Sequence, residues 1–333
     1  MIRYYLHKII AKILSAFVYL WRGKNLRRGV FEIVPRDFVF QKKVVLAFWD
    51  LSLVHLGDQL FHEALVRYLV GHNVEVYVCG NSPLNVYFSD LGAAAVPLVD
   101  LQKKGIDGAL FISKDDVAFQ FTSLFGKKNA FIGINYAALD TEEKISVEIT
   151  RIALEFVKKN GFGGDVGVEM RKIDFKPNIP KTILDGYDHE GWMRTLSSEP
   201  EKKFLVFNNY VASNFFDVSK RESLLEELCK KKRKEGYIVI HVGSKKDRAA
   251  DRRKYNFIDF DFRGILDPIA LIKLFSLKNV LGVVSFDTYV MHAAALFGKD
   301  LYIVVKDESR KEIFRKRFIP MYPGADDILK EYL

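Results

Sequence analysis

The chain has 333 residues, 49% of them hydrophobic, which is enough apolar material to fill two cores. Its formal net charge of +9 leads us to expect an acidic partner: a nucleic acid, an anionic lipid or a phosphorylated substrate. The two cysteines, Cys79 and Cys229, are far apart, which excludes a disulfide framework or a cysteine zinc site and favours a reducing compartment.

The chain begins with a basic amphipathic pattern over residues 1–28. Lysines and arginines recur there with no acidic residue before Glu32, while apolar residues follow helical spacing. Lys8 and Lys12 interrupt the apolar run, so it is shorter than the roughly 20 apolar residues that span a bilayer. We therefore predict, for residues 1–30, a helix that lies on the membrane surface. The alternative is a helix that packs on the protein's own body.

Strand and helix patterns then alternate through residues 31–180. The predicted strands are Lys43–Asp50, Val74–Gly80, Ala95–Leu98, Ala109–Ser113 and Phe131–Asn135. The predicted helices are Gly57–Gly71, Leu84–Leu91, Val117–Leu124 and Thr141–Asn160. Such alternation predicts a parallel sheet covered by helices on both faces.

A second alternating series begins at Lys203, after a stretch between Gly161 and Pro200 that has no sustained period. We place the connection between the domains within that stretch, so that the second domain is predicted to occupy residues 181–333. Its predicted strands are Phe204–Asn208 and Tyr237–Gly243, and its predicted helices are Lys220–Glu235 and Pro268–Leu277. The chain is thus expected to form two α/β domains of the doubly wound, Rossmann-like kind. Ligands of such sheets bind outside the carboxyl ends of the strands, where Asp58, Asn208, Gly243 and Asp287 are expected.

The most informative segment is Val280–Val305. It reads as a buried strand, an Asp287-Thr288 helix cap, a short helix rich in alanine, a stop at Gly298 and a second buried strand. Free amides at such a helix start favour an anionic group. Thr288 and His292 lie four residues apart and so share one face of the helix.

The same residues resemble a known family. Asp287-Thr288 followed by His292 and three alanines is similar to the D-T-G-x-x-H-x-A-A motif of glycosyltransferase family 9, the ADP-heptose:lipopolysaccharide heptosyltransferases. Gly57-Asp58 resembles the family's N-terminal G-D loop, and Arg263-Gly264 resembles the segment before its nucleotide motif. Tyr289 departs from the family, which usually has glycine there. The proline that usually follows the G-D loop is also missing.

The resemblance implies a GT-B fold, in which two Rossmann-like domains face a cleft. It implies an N-terminal domain for the acceptor, with Asp58 as the general base of an inverting displacement, and a C-terminal domain for the nucleotide sugar. The residues expected to bind the substrate or donor are Gly57, Gly243, Ser244, Arg263, Gly264, Asp287, Thr288 and His292. It implies chemistry without metal or cofactor, with the leaving diphosphate held by Thr288, His292 and nearby basic side chains.

Several of these residues could also have a purely structural role. Asp58 could be an ordinary helix cap, and a histidine on an apolar helix is often a core residue. The segment from Gly243 to Lys246 could be a solvated turn, and Asp259-Phe260-Asp261, although it has metal-binding spacing, is expected to expose both aspartates on a plain surface face.

The sequence therefore predicts a cytoplasmic glycosyltransferase at the inner face of the cytoplasmic membrane. We expect it to transfer heptose or a related sugar to a lipopolysaccharide, another anionic glycolipid or a polysaccharide. The alternatives are a sugar-nucleotide epimerase of the same fold, a catalytically inactive protein, and a nucleic-acid-binding protein. No recognisable nucleic-acid module is present, so we expect no nucleic-acid partner.

Overall fold

The protein is described from a computed structural model. The residues described are 29–48, 56–80, 82–114, 121–122, 124–126, 128–136, 138–139, 141–161, 163–185, 191–209, 219–251, 253–305 and 308–333. The chain divides into two compact units, Met1–Asp174 and Phe175–Leu333. The basic segment predicted to form a surface helix, residues 1–28, lies outside the described residues, as does most of the predicted helix Val117–Leu124.

The described part of the first unit contains a six-stranded sheet. Its strands are β1 (Val30–Ile33), β2 (Lys43–Ala47), β3 (Glu75–Cys79), β4 (Ala94–Val96), β5 (Ala109–Lys114) and β6 (Ala130–Ile134). Their order across the sheet is β1-β6-β5-β2-β3-β4, and every pairing is parallel except that of β1 with β6. The central strands β2, β5 and β6 are almost wholly buried because parallel strands are covered on both faces.

The helices of the first unit follow its strands. They are α1 (Leu56–Leu60), α2 (Glu63–Gly71), α3 (Asn85–Asp90), α4 (Leu98–Lys104), α5 (Ile145–Lys159) and α6 (Val166–Lys172). The core on one side of the sheet includes Val45, Phe111 and Phe131, whose rings and methyl groups are out of contact with water. Phe111 and Phe131 stack with ring centroids 4.9 Å apart.

The second unit repeats this plan with a fully parallel sheet. Its strands are β7 (Lys203–Asn208), β8 (Tyr237–His241), β9 (Phe260–Asp261), β10 (Val280–Phe286), β11 (Asp300–Val304) and β12 (Leu329–Tyr332), in the order β12-β11-β10-β7-β8-β9. Its helices are α7 (Lys181–Asp185), α8 (Trp192–Ser197), α9 (Ser219–Lys234), α10 (Lys245–Ala250), α11 (Pro268–Ser276), α12 (Tyr289–Ala295) and α13 (Lys311–Arg317), with short 3-10 turns at Glu308–Arg310 and Asp326–Ile328.

Each sheet has one place where the direction of winding reverses. In the first sheet this is between β2 and β5, and in the second it is between β7 and β10. Chain connections leave these neighbouring strands in opposite directions, so a crevice opens at their carboxyl ends. In the second sheet this position is marked by Asn208, which ends β7, and by Asp287, which follows β10.

The predicted helix Gly57–Gly71 is wrong in one respect, because the structure divides it. Helix α1 ends at Leu60 and α2 begins at Glu63, with a turn at Phe61 and His62. The unit from β10 through α12 to β11 forms where the sequence predicts it, and the three alanines of α12 are completely buried, as close packing on a sheet requires.

Candidate active site

Asp287 and Thr288 connect β10 to α12 at the switch point of the second sheet. Thr288 is the N-cap residue, with φ of −143° and ψ of 171°, but its side chain makes no capping hydrogen bond. Its hydroxyl instead lies 3.4 Å from the Oδ1 atom of Asn208 on the neighbouring strand. The motif threonine is therefore directed across the sheet edge and remains half-buried.

His292 lies one turn into the same helix and is only 4% exposed. Its Nε2 atom is 3.6 Å from the Oδ1 atom of Asp287. The turn into α12 thus places the carboxylate of Asp287 beside the imidazole of His292, five residues later, at the start of a helix that follows a buried strand. The pair combines a carboxylate, which accepts hydrogen bonds, with an imidazole, whose nitrogens donate or accept according to the tautomer.

Asn208 joins these residues to the next strand. Its side chain is 3% exposed, and its Nδ2 atom donates a hydrogen bond of 3.0 Å to the carbonyl oxygen of Val242. A buried amide must satisfy its hydrogen bonds, and Asn208 does so between β10 and the loop after β8. The structure therefore brings Thr288 and Gly243 to the same edge, although they lie far apart in sequence.

Ser244 is predicted to bind the donor, and the structure gives its hydroxyl a local role. It is the N-cap of α10, and Ser244 and Asp247 form a reciprocal capping box. The hydroxyl donates to Asp247 over 2.7 Å and accepts from the Asp247 amide over 3.2 Å. Gly243 has no room for a side chain, because a Cβ atom would lie 2.8 Å from an oxygen of Asp247.

Arg263 is buried, with 5% of its surface exposed. Its Nε and Nη2 atoms donate to the two carboxylate oxygens of Asp261, each over 2.9 Å, and Nη1 donates to the carbonyl of Asp251 over 2.7 Å. The bonds to Asp261 raise the pKa of Arg263, so the guanidinium is firmly charged. These bonds hold the guanidinium in one position, and Arg263 is one of the residues that line a surface pocket.

Beside this arginine lies a polar network that the sequence reading missed. Asn209 donates to Glu222 over 2.7 Å, to the Tyr255 hydroxyl over 2.8 Å and to Asp251 over 3.0 Å. Its side-chain oxygen lies 2.9 Å from the Nε2 atom of His241. The sequence contained one signal for this network, because Asn209 is a polar residue directly after the buried strand β7.

Two members of this network, His241 and Asp251, have pKa values below their usual range, for different reasons. It lowers the pKa of His241 to about 3, with a further contribution from the Arg263 charge, so the imidazole is neutral. Burial alone would raise the pKa of Asp251, but hydrogen bonds from Arg253, Tyr255 and Asn209 together lower it. Asp251 is therefore an anion that is already fully engaged.

Asp58 lies in the first unit, within α1 and not in the loop that was expected. It is half-buried, and its neighbour Gly57 is buried. Its carbonyl oxygen lies 3.2 Å from the Nδ1 atom of His62, which is completely buried. Burial lowers the pKa of His62 to about 4, although its backbone hydrogen bonds act in the other direction.

Tyr289, which stands where the family has glycine, contacts the neighbouring helix. Its hydroxyl donates to the carbonyl oxygen of Pro268, the first residue of α11, over 2.7 Å. Burial, together with the charge of Asp267, raises the pKa of Tyr289 well above its usual value. The side chain therefore links α12 to α11 as a neutral hydrogen-bond donor.

The aspartates with metal-binding spacing are exposed, as expected, but each has a cation partner. Asp259 pairs with Arg233 and Asp261 with Arg263, both over 2.9 Å. Within the described ranges, no group of three or more histidines, cysteines or carboxylates is arranged to hold a metal ion. No helix in the described part of the chain is both long and apolar enough to cross a membrane.

Comparison with known proteins finds similarity at the level of the fold. No protein-family model matches the sequence, and no characterised protein matches it significantly by sequence. Among solved structures, the ADP-heptose lipopolysaccharide heptosyltransferase II of E. coli is 15% identical, covers 79% of this chain and 84% of its own, and gives a TM-score of 0.50.

Two further solved structures are similar at lower scores. A glycosyltransferase family 9 protein from Veillonella parvula is 10% identical, with 80% of this chain and 81% of that one covered and a TM-score of 0.48. The UDP-GlcNAc 2-epimerase of Methanocaldococcus jannaschii, in complex with UDP-GlcNAc and UDP, is 12% identical, with 81% and 86% covered and a TM-score of 0.42.

The chain accordingly has an α/β, GT-B-like fold with two Rossmann-like sheets, which confirms the predicted fold class. At such low identity the comparison concerns the fold and does not fix a family.

Proposed function

We propose that this protein is a glycosyltransferase that moves heptose or a related sugar from a nucleotide-diphosphate donor to a glycolipid, lipopolysaccharide or polysaccharide acceptor. The observation that carries the proposal is the meeting of motif residues at the switch point of the second sheet. Asp287, Thr288 and His292 lie there beside Asn208, at the kind of edge where α/β sheets bind ligands.

The donor would lie along the carboxyl edge of the second sheet. Starting from Thr288 and His292, this edge continues through Asn208 to Gly243 and then to Arg263-Gly264. It offers hydroxyl, imidazole and carboxylate groups at one end and positive charge at the other. A nucleotide sugar needs both kinds of partner, because it carries hydroxyl groups and a charged diphosphate.

Asp58 would act as the general base. In an inverting displacement, the acceptor oxygen forms a bond to the anomeric carbon as the bond from that carbon to the phosphate oxygen breaks. The acceptor proton passes to the Asp58 carboxylate, and the nucleoside diphosphate leaves with the electron pair. Since positive side chains would compensate the leaving charge, this scheme is metal-independent and requires no cofactor.

The acceptor is proposed to be anionic and located at a membrane surface. Residues 1–28 supply the basic, amphipathic segment that such contact needs, and the placement would be at the inner face of the cytoplasmic membrane. The same positive charge suits lipid phosphates, and the proposal includes no nucleic-acid partner.

The test is sugar transfer with the full chain. The protein is incubated with a panel of nucleotide sugars, with and without glycolipid extracted from membranes, and the release of nucleoside diphosphate is measured. We expect release that depends on the acceptor and falls about 100-fold or more in Asp58→Asn, whereas Asp90→Asn, on an exposed helix end of the same unit, retains activity.

One outcome would contradict the function, and another would contradict the role given to Asp58. Conversion of a free nucleotide sugar to its epimer without any acceptor would identify an epimerase. Full transfer activity in Asp58→Asn would remove Asp58 from the mechanism and leave the base to be found elsewhere.

A further inference from the structure

The last α-helix of the second unit, α13, carries a local excess of positive charge. Its sequence, from Lys311 to Arg317, contains four basic residues and one acidic residue, so its formal charge is +3. The five residues before it, 306–310, contain two basic and two acidic residues and leave this total unchanged. No residue of α13 is buried, and nothing in the proposed reaction uses this helix.

The packing of α13 determines which of its side chains face outward. Phe314 packs against the buried Phe318, with ring centroids 5.3 Å apart, so Phe314 marks the inner side of the helix. Consecutive residues of a helix are about 100° apart around its axis. This spacing places five side chains on the flanks and outer face: Glu312, Ile313, Arg315, Lys316 and Arg317.

This outer face combines charge with one exposed apolar side chain. Ile313 is 41% exposed, and Arg315 and Lys316 are exposed on either side of the inner residue Phe314. Lys311 pairs with Glu308 over 3.3 Å, whereas Arg315 and Arg317 form no ion pair within the described ranges. Cations that the protein itself does not neutralise attract an anionic partner.

Helix α13 begins at the carboxyl edge of the second sheet, which is also the edge of the candidate active site. It follows β11 along the chain, and the hydroxyl of Tyr332, the last residue of β12, donates to the carbonyl oxygen of Lys311 over 2.9 Å. Burial, and after it the charge of Asp287, raises the pKa of Tyr332, so the motif aspartate acts on this end of β12 as well.

Among anionic partners, a lipid surface fits this face best. Anionic lipids attract each nearby lysine and arginine, and these long side chains reach the headgroups while an apolar residue enters the interface. Ile313 supplies that apolar residue, whereas binding to nucleic-acid phosphates would leave it in water. A helix of seven residues makes only a weak contact, which gains strength when a second segment of the same chain also binds the membrane.

We propose that α13 is a docking surface for an anionic lipid bilayer, with the cations of residues 315–317 at the lipid phosphates and Ile313 in the headgroup layer. This contact is additional to the one proposed for residues 1–28, and it does not depend on the proposed glycosyltransferase function. Where both hold, the membrane lies at the edge of the second sheet that is proposed to bind the donor.

The experiment is co-sedimentation of the full chain with vesicles of phosphatidylcholine and anionic phosphatidylglycerol. We expect the double variant Arg315→Glu/Lys316→Glu to bind about tenfold more weakly or worse, because two attractions become two repulsions. Ile313→Ser should weaken binding about threefold, since less apolar surface leaves water. Thermal unfolding without lipid checks that each variant is folded.

Lys202→Glu/Lys203→Glu is the matched control, because it reverses two adjacent, exposed charges of the same unit. Strand β7 begins at Lys203, so these lysines lie at the amino edge of the sheet. A six-residue strand is about 20 Å long, and the Debye length at physiological salt is about 8 Å. The control should therefore bind vesicles as the wild type does.

Three results would overturn the inference. Unchanged vesicle binding in Arg315→Glu/Lys316→Glu would exclude α13 as a membrane contact, and equal weakening in the control would show only an effect of net charge. A loss of RNA binding in the α13 variant, with vesicle binding intact, would assign this face to nucleic acid. Vesicle binding through α13 without any sugar transfer would instead retain the docking surface and reject the proposed function.

Discussion

At the scale of single residues, the buried histidine beside Asp58 links folding to pH. The folded protein keeps His62 neutral down to a pKa of about 4, whereas an unfolded chain protonates it near pH 6.5. Between these values the unfolded state binds more protons, so lowering the pH destabilises the fold. Stability from this group is complete above about pH 6.5 and is lost as the pH falls towards 4.

This linkage is testable with His62→Phe, which keeps an aromatic ring among Phe48 and Tyr136. We expect the variant to lose less unfolding free energy between pH 7 and pH 4 than the wild type, by roughly 3 kcal/mol. The measurement is urea denaturation at several pH values. His72→Phe, which removes an exposed histidine from the same unit, should follow the wild type, and an unchanged slope in His62→Phe would contradict the assignment.

A second residue-scale prediction concerns Gly264. Gly236→Ala should cost about 1 kcal/mol of stability, because the glycine has positive φ. Gly264→Ala should cost more, because Gly264 also has positive φ and a Cβ atom there would lie 3.2 Å from Cα of Lys245, whereas one at position 236 meets nothing within 4 Å. Thermal unfolding of both variants measures the difference. Equal loss of stability in the two variants would mean that the contact with Lys245 relaxes without cost.

At the scale of elements, α12 depends on its small residues. Ala293, Ala294 and Ala295 are fully buried between the helix and strands β10 and β11. Ala294→Leu should therefore overpack the interface and cost about 1–3 kcal/mol, whereas Ala94→Leu, on an exposed strand position, should cost little. Chemical denaturation of both variants tests this, and equal stability would contradict close packing.

Some of these elements could be predicted from the sequence, and others could not. The unit from β10 to β11 was predictable because long β-branched runs, a capping pair and a stop glycine all agree within one stretch of chain. Strand β1 was missed, because its place depends on Phe31 covering Gly133 of β6, about a hundred residues later. Strand β12 was missed for the same reason, since it pairs only with β11 at the sheet edge.

Among the contacts of the candidate site, too, some could be predicted from the sequence and others could not. The neighbourhood of Asp287, Thr288 and His292 follows from helical spacing and could be predicted. The bonds from Thr288 to Asn208 and from Asn208 to Val242 depend on the order of the strands, which no local pattern contains. Likewise Arg248 reads as one of many surface charges until the fold places it beside Arg263.

At the scale of the whole molecule, the two units have separate sheets and separate cores. A ligand that binds to one unit should therefore stabilise that unit directly. With a bound nucleoside diphosphate, we expect slower amide hydrogen exchange at the edge that includes residues 242–249, 263–264 and 286–292. The strand Lys43–Ala47 of the first unit should change little. Hydrogen-exchange mass spectrometry measures this, and protection confined to residues 29–174 would contradict a donor site in the second unit.

The most direct test of the central claim, that the second unit binds a nucleotide donor, is a thermal-shift panel of nucleoside diphosphates. At about 100 times the dissociation constant, a true ligand should add roughly 2.7 kcal/mol of stability. We predict stabilisation of the wild type by one nucleotide, a weaker effect in Thr288→Ala and His292→Ala, and an unchanged effect in Thr195→Ala, an exposed threonine of the same unit. A folded wild type that responds to no nucleotide would contradict the claim.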